Sequence, residues 1–223
     1  DLNVYGTYKR TATATTLTPT GNVTFQSGSY YIHNASGGIL PTCTWDAASN
    51  LQIDVTLANN EFTESFGNVI FNGSAGCNLA TGAFTRTIQG NLTISSTGTI
   101  GLSSSTTNAA TLTINGNLII NANGSLILDR PTAANGTSLT KKIIVKGNFE
   151  QSTGTLNFSN NTSTTISAPP SRIAEIDVEG SFIHTGGTIT ETASDADFTS
   201  RFNMTKTTGT QNIESTGFSN GAS

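Results

Sequence analysis

Two segments, Gly90-Asn91-Leu92-Thr93-Ile94 and Gly116-Asn117-Leu118-Ile119-Ile120, decide the fold, because each places a Gly-Asn pair before an alternating apolar strand. The same arrangement occurs at Gly21-Asn22-Val23-Thr24-Phe25 and Gly67-Asn68-Val69-Ile70-Phe71. Apolar residues at every second position lie on one face of a strand. The return of this unit along the chain predicts a repeat protein built from strands.

Two further segments recur within each unit. A second Gly follows each Gly-Asn pair by seven to nine residues, and most of these glycines precede an apolar-x-apolar pattern, at Tyr30 and Ile32, Ile100 and Leu102, Leu126 and Leu128, and Leu156 and Phe158. A third alternating segment ends just before the next pair, at Leu112 and Ile114, Ile143 and Val145, and Ile176 and Val178. Each unit therefore predicts three short strands with Gly or Asn at the corners.

This periodicity predicts an all-β chain that forms a single parallel β-solenoid, or β-helix, of about eight irregular coils with three short strands per coil. The distance from Gly21 to Gly67 is twice that from Gly67 to Gly90, so one degenerate coil is expected between the first two. We interpret residues 1–223 as one solenoid segment of a longer chain. An antiparallel sandwich is the alternative, but the regular return of Gly-Asn without hairpin turns favours the solenoid.

Composition narrows the classes of function. The polar residues are chiefly uncharged, with 40 Thr and 23 Asn, whereas charged residues make up only 11% of the chain. The net charge is −4 and no basic patch is present, which argues against a nucleic-acid partner. No apolar run is long enough to span a bilayer.

The stretch from Tyr30 to Asp46, with Tyr30-Tyr31-Ile32-His33 followed by Gly37-Gly38-Ile39-Leu40-Pro41-Thr42-Cys43-Thr44-Trp45, is distinctive. It resembles a signature of large secreted proteins of Bacteroidota, in which Tyr-x-His leads into Gly-Gly and then Ile-Pro-Thr-Ala-Thr-Trp. Those proteins are also rich in Gly-Asn-hydrophobic repeats and are clients of the type IX secretion system. The resemblance implies export to the medium or the outer cell surface, with an adhesive or structural role. Cys43 departs from the usual Ala, and this segment carries no sorting domain.

A search for catalytic groups gives little. The two histidines, His33 and His184, are expected to be structural, with His184 on an inward position equivalent to Phe25 and Ile94. The nearest carboxylate pair for glycoside hydrolysis is Asp195 and Asp197 with Glu191 nearby, but no basic residue recurs with it. We therefore predict no catalytic residue, no cofactor and no metal site.

Other residues have two interpretations each. Cys43 and Cys77 form a disulfide in a secreted protein, or else are two small buried hydrophobes. The aromatics Tyr5, Tyr8, Tyr31 and Trp45 contact a sugar or protein ligand if exposed, or else pack in the N-terminal core. The sequence leaves both alternatives open.

The expected function is that of a secreted or cell-surface structural and adhesion module of a Gram-negative bacterium, without catalysis. The alternatives are an extracellular polysaccharide-binding module, a carbohydrate-active β-helix enzyme, and an ice-binding solenoid that uses Thr-x-Thr steps such as Thr111-Leu112-Thr113 and Thr188-Ile189-Thr190. The expected partners are an extracellular glycan or another surface protein. Because neither end shows an obvious cap, we also expect the ends to continue into, or dock on, further solenoid or other domains.

Overall fold

The computed structural model describes residues 1–12, 21–37, 39–58, 62–130, 139–160, 172–192 and 198–215. These residues form strands and connecting turns, and every pair of adjacent strands among them is parallel. No helix suited to crossing a membrane occurs among them. The chain is a parallel β-solenoid, as the repeat predicts.

Two sheets contain the first strands of the chain. Sheet 1 has nine strands, which are β2 (Thr7–Arg10), β4 (Tyr30–His33), β6 (Asn50–Ile53), β7 (Asn68–Phe71), β10 (Leu92–Ile94), β13 (Leu118–Ile120), β16 (Phe149–Gln151), β19 (Phe182–His184) and β22 (Ile213–Ser215). Sheet 2 has three strands, which are β1 (Leu2–Val4), β3 (Val23–Phe25) and β5 (Thr44–Trp45).

Two five-stranded sheets complete the later coils. Sheet 3 contains β8 (Cys77–Ala80), β11 (Thr99–Ser103), β14 (Ser125–Asp129), β17 (Thr155–Ser159) and β20 (Thr188–Thr190). Sheet 4 contains β9 (Phe84–Ile88), β12 (Ala110–Ile114), β15 (Leu139–Val145), β18 (Arg172–Val178) and β21 (Phe198–Met204). From β7 onward the chain visits sheets 1, 3 and 4 in turn, so each of these coils has three strands.

The N-terminal coils differ from this pattern. Before β7 the described chain alternates between sheet 2 and sheet 1, so each coil contributes two strands instead of the three expected. The first Gly-Asn segment forms β3 in sheet 2, so Phe25 does not share a column with Ile94 and His184. One coil, formed by β5 and β6, lies between the Gly21 coil and β7, as the spacing predicts.

Strand β4 also has the opposite orientation to the expected one. Tyr31 and His33 are buried, whereas Tyr30 and Ile32 are only partly buried. The four residues offer a bulky ring or an apolar side chain at every position, so their pattern does not distinguish the two faces. Pairing with β6 settles the orientation, because Leu51 and Ile53 lie beside Tyr31 and His33.

One continuous core fills the solenoid. In the central coils its apolar columns run through equivalent positions of successive strands, as the sequence predicts for sheets 3 and 4. The fully buried members include Leu92, Leu118, Ile100, Leu126, Leu112, Ile143 and Ile176. Burying each such side chain contributes roughly 1.5–3 kcal/mol relative to leaving it exposed.

An asparagine ladder joins the coils at the corner that precedes sheet 1. The side-chain oxygen of each ladder residue accepts a hydrogen bond from the backbone N–H one coil further on, at 2.7 to 2.9 Å. The donor and acceptor pairs are Asn91 to Asn68, Asn117 to Asn91, Asn148 to Asn117 and Ser181 to Asn148. The N–H of each corner glycine bonds to the glycine carbonyl of the preceding coil, and the ladder satisfies the N–H of the residue that follows.

The glycine before each ladder residue makes room for this contact. A Cβ atom on Gly90 would collide with the side-chain oxygen of Asn68, and the same collision would occur between Gly116 and Asn91. The Gly-Asn pair is therefore one structural unit, in which Gly admits the amide of the preceding coil and Asn supplies the amide for the next.

We predict that Gly90→Ala and Asn68→Ala are coupled. Gly90→Ala should destabilise the fold by about 2 kcal/mol through overpacking, and Asn68→Ala by about 1 kcal/mol through the lost hydrogen bond. Because Asn68→Ala removes the atom that the new methyl meets first, the double variant should be more stable than the sum of the two by about 1 kcal/mol. Urea unfolding measures each free energy.

Gly82→Ala is the matched control, because a Cβ at Gly82 meets no atom within 4 Å. It should change the free energy of unfolding by less than about 0.5 kcal/mol. Strictly additive effects of Gly90→Ala and Asn68→Ala would contradict the coupled unit.

Candidate functional site

An open groove of about 490 Å³ lies where the solenoid widens from two strands per coil to three. We call it the step groove and define it by Thr56, Leu57, Ser74, Asn78, Thr99 and Arg130. Asn78 and Thr99 belong to the first two strands of sheet 3, and Thr56 and Leu57 follow the last strand of the narrower part. The volume falls within the range of ligand-binding clefts.

Contacts across three coils position the positively charged Arg130 in the step groove. Arg130 follows β14, and its Nη1 donates a hydrogen bond of 3.4 Å to Oδ1 of Asn78 in β8, two strands away. Gly101 of β11 lies between them. A Cβ at Gly101 would collide with the Asn78 amide and lie 3.1 Å from Cδ of Arg130. The missing side chain of Gly101 therefore gives both groups the space they occupy.

A charged surface lies on the outer face of sheet 4. Lys142 forms salt bridges with Glu175 at 3.0 Å and Asp177 at 2.6 Å, and Asn203 donates a hydrogen bond of 2.8 Å to Asp177. The Glu-x-Asp spacing puts both carboxylates on one strand face, as a glycosidase would require. The sequence pattern pointed to Asp195 and Asp197 instead of this pair, and those two lie outside the described residues.

The pKa shifts of this surface do not suit acid–base catalysis. Hydrogen bonds to Asp177 and Glu175 raise the pKa of Lys142, which keeps it protonated and removes it as a base. Although burial opposes the change, hydrogen bonds from Lys142 and Asn203 lower the pKa of Asp177, which makes it a poor general acid. Catalytic groups have pKa values near the working pH, whereas these groups are held away from it.

A buried ionic cluster lies between the ends of sheet 3 strands and the beginnings of sheet 4 strands. Arg172, 0% exposed, donates two hydrogen bonds through Nη2 to the carboxylate of Asp129, at 2.7 and 2.8 Å. Lys141, also fully buried, donates to Oγ of Ser103 at 3.0 Å and to two backbone carbonyls at 2.5 and 2.9 Å. Burial lowers the pKa of Lys141 to about 8, with Asp129 opposing the shift and Arg172 adding to it.

The histidines occupy structural positions. Both His33 and His184 are buried on the inner face of sheet 1, in the column that also contains Ile94. Burial lowers the pKa of His33. Within the described ranges, no three His, Cys, Asp or Glu side chains come together as a group able to hold a metal ion.

The N-terminal aromatics divide into core and surface. Tyr31 and Trp45 are buried, so of the two interpretations they follow packing in the N-terminal core; Trp45 stacks on Phe25 with ring centroids 4.6 Å apart. Tyr8 is half-buried and stacks on Tyr31 at 5.6 Å. Tyr5 is 74% exposed. Only Tyr5 and part of Tyr8 remain as surface contacts among the four proposed residues.

The cysteines are two free thiols in the structure. Cys43 lies just before β5 of sheet 2, whereas Cys77 begins β8 of sheet 3, so the disulfide considered from the sequence is not formed. Burial raises the pKa of Cys43 to about 11 and that of Cys77 to about 12, so both thiols are neutral at physiological pH. Cys77 belongs to the apolar core, as the second interpretation predicts.

The threonine steps form only a small array on sheet 4. Thr85 and Thr87 of β9 lie in register with Thr111 and Thr113 of β12. In the next strand, Lys142 and Ile144 take the equivalent positions. Thr188–Thr190 lies on a different sheet. An ice-binding surface would need the Thr-x-Thr register in most coils, and in the described part of sheet 4 it covers two strands.

An apolar depression of about 270 Å³ lies at the end of the core beside β22. It is lined by Phe182, Ile189, Phe202, Met204 and Ile213. These side chains offer no directional polar contact, so the step groove is the better candidate for binding a hydroxylated ligand.

Sequence reasoning missed the groups that build the step groove and the buried cluster. Two signals were available. Gly101 interrupts a strand pattern, which indicates close approach of another group. Lys141 and Arg172 stand two residues ahead of inward positions of alternating strands, where a charge is unexpected unless it is paired.

We predict that breaking the Asp129–Arg172 pair is costly and that replacing it is not. Arg172→Met should destabilise the fold by about 3–5 kcal/mol, because it leaves a carboxylate buried without its partner. Asp129→Leu combined with Arg172→Met should recover most of that loss. Urea unfolding of the single and double variants measures the difference.

The control for this pair is Lys146→Met, which breaks the exposed salt bridge to Glu179 and should cost less than about 1 kcal/mol. A double variant no more stable than Arg172→Met would contradict the prediction.

We also predict a pH signature for Lys141. Its pKa is about 8 in the folded protein and near 10.5 when unfolded, so the unfolded chain binds more protons between these values. Stability from this group therefore rises as the pH rises from about 8 to 10.5. The free energy of unfolding of the wild type, minus that of Lys141→Met, should increase over this range. A difference that stays constant from pH 7.5 to 10 would contradict the assignment.

Comparison of the chain with known protein families, with curated protein sequences and with solved structures found no match.

Proposed function

We propose that the chain is a non-catalytic structural and adhesion module, exported to the medium or the outer cell surface. The observation that carries this proposal is the unbroken nine-stranded parallel sheet, whose coils are joined by the asparagine ladder. Such a column holds its outer faces in fixed positions without a moving part. The resemblance of the Tyr30 to Trp45 stretch to exported proteins of Bacteroidota supports the location.

A second candidate function is extracellular polysaccharide binding. The step groove favours it, because hydroxyl, amide and guanidinium groups line one open cleft. A small number of polar groups placed in a cleft of this size is typical of ligand sites. The Lys142 surface gives no comparable support to an enzyme, since its pKa shifts point away from acid–base chemistry.

We predict binding without turnover on a broad glycan array. The purified chain should bind a subset of extracellular polysaccharides saturably, and chromatography of the bound polysaccharides after long incubation should show no shortened products. Bound glycans that become shorter would contradict the non-catalytic proposal. Absence of any binding would remove the polysaccharide-binding candidate and leave the structural module.

Location is tested separately in cells that make the protein. Protease added to intact cells should degrade the chain on their surface, or the chain should be found in the medium. A periplasmic control protein should survive the same treatment. Protection of the chain to the same degree as the control would contradict exposure at the surface.

A further inference from the structure

We propose that the step groove binds an acidic polysaccharide, and that Arg130 holds the carboxylate of one uronic acid residue. This inference rests on the polysaccharide-binding candidate above and names its substrate class.

The position of Arg130 is built by the fold. Its side chain extends over Gly101 to reach Asn78, 52 residues earlier in the chain. Gly101 is the one member of its column in sheet 3 without a side chain, since Asn78, Ile127 and Asn157 occupy the equivalent positions. A side chain at this point would exclude the contact between Arg130 and Asn78. The space left by Gly101 therefore allows the guanidinium to lie in the groove.

The charge of the groove favours an anion. Arg130 contributes a permanent positive charge, and the neighbouring Cys77 thiol is neutral because burial raises its pKa to about 12. None of the salt bridges among the described residues involves Arg130. Its contact with Asn78 is long, at 3.4 Å. The Arg130 guanidinium can therefore donate two parallel hydrogen bonds to a carboxylate.

The remaining lining fits the other groups of a sugar. Thr56, Ser74 and Thr99 carry hydroxyls that both donate and accept hydrogen bonds. A peptide carboxylate would use Arg130 equally well, but this lining of small hydroxyls matches the many hydroxyls of a saccharide. Together with the cation, it selects a sugar that carries an acid.

The test compares two probes of equal length that differ in the acid group, oligogalacturonate and oligogalactose, by calorimetry at low salt. Oligogalacturonate should bind at least about tenfold more tightly than oligogalactose. Arg130→Gln should weaken oligogalacturonate binding by about tenfold or more and leave oligogalactose unchanged. Arg130→Lys should weaken it less, because charge remains but the planar fork is lost.

Arg86→Gln is the matched control, because it removes an exposed arginine of sheet 4 outside the groove. It should leave oligogalacturonate binding unchanged, and all variants should retain the wild-type unfolding midpoint. Equal loss in Arg86→Gln and Arg130→Gln would indicate nonspecific attraction and would overturn the site.

Other outcomes would distinguish failure of the Arg130 site from failure of polysaccharide binding as a whole. Preference for oligogalactose, or Arg130-independent binding of oligogalacturonate, would overturn the role of Arg130 while leaving polysaccharide binding in place. Preference for a sulfated oligosaccharide of the same length would overturn the carboxylate assignment. No binding to these probes or to the glycan array would overturn both the inference and the polysaccharide-binding candidate.

Discussion

The hydrogen bond from the backbone N–H of one coil to the asparagine side chain of the preceding coil is the contact on which the regular part of the solenoid depends. Strand pairing aligns the sheets, and backbone bonds between glycines of successive coils cross the corner before sheet 1, but the N–H that follows each of these glycines bonds to a side chain. The repeated bonds from Asn68 to Ser181 supply them. The same corner has no room for a Cβ atom on the preceding glycine. One hydrogen bond therefore explains why both the glycine and the asparagine recur.

The interior shows how a repeat protein tolerates irregular coils. Its central columns are apolar, but the column that contains Ile94 becomes polar toward both ends, with Arg10 and His33 at one end and Gln151 and His184 at the other. Arg172, Asp129 and Lys141 form a second polar region between sheets 3 and 4. Burying these charges is tolerable because each has hydrogen-bond partners.

The change in cross-section is the origin of the candidate site. Three N-terminal coils use sheets 1 and 2, and the later coils use sheets 1, 3 and 4, so sheet 3 begins abruptly at β8. A groove forms at this step because the narrower coils do not extend sheet 3. Arg130 then reaches back to β8 across the gap left by Gly101. Irregularity in the repeat, and not the repeat itself, therefore creates the place where a ligand fits.

The sequence by itself determined the fold class, the three-strand coils from β7 onward and most of the inward positions of sheets 3 and 4. These follow from local signals, since alternation of apolar residues and corner glycines depend on a few neighbouring residues. Only the tertiary structure decided the two-strand N-terminal coils, the inward orientation of Tyr31 and His33, and the free state of Cys43 and Cys77. It also decided the step groove, where Asn78 and Arg130 meet across 52 residues of sequence, and the Asp129–Arg172 pair, whose members are 43 residues apart. Stacking register brings such residues together, and register depends on the lengths of all the coils between them.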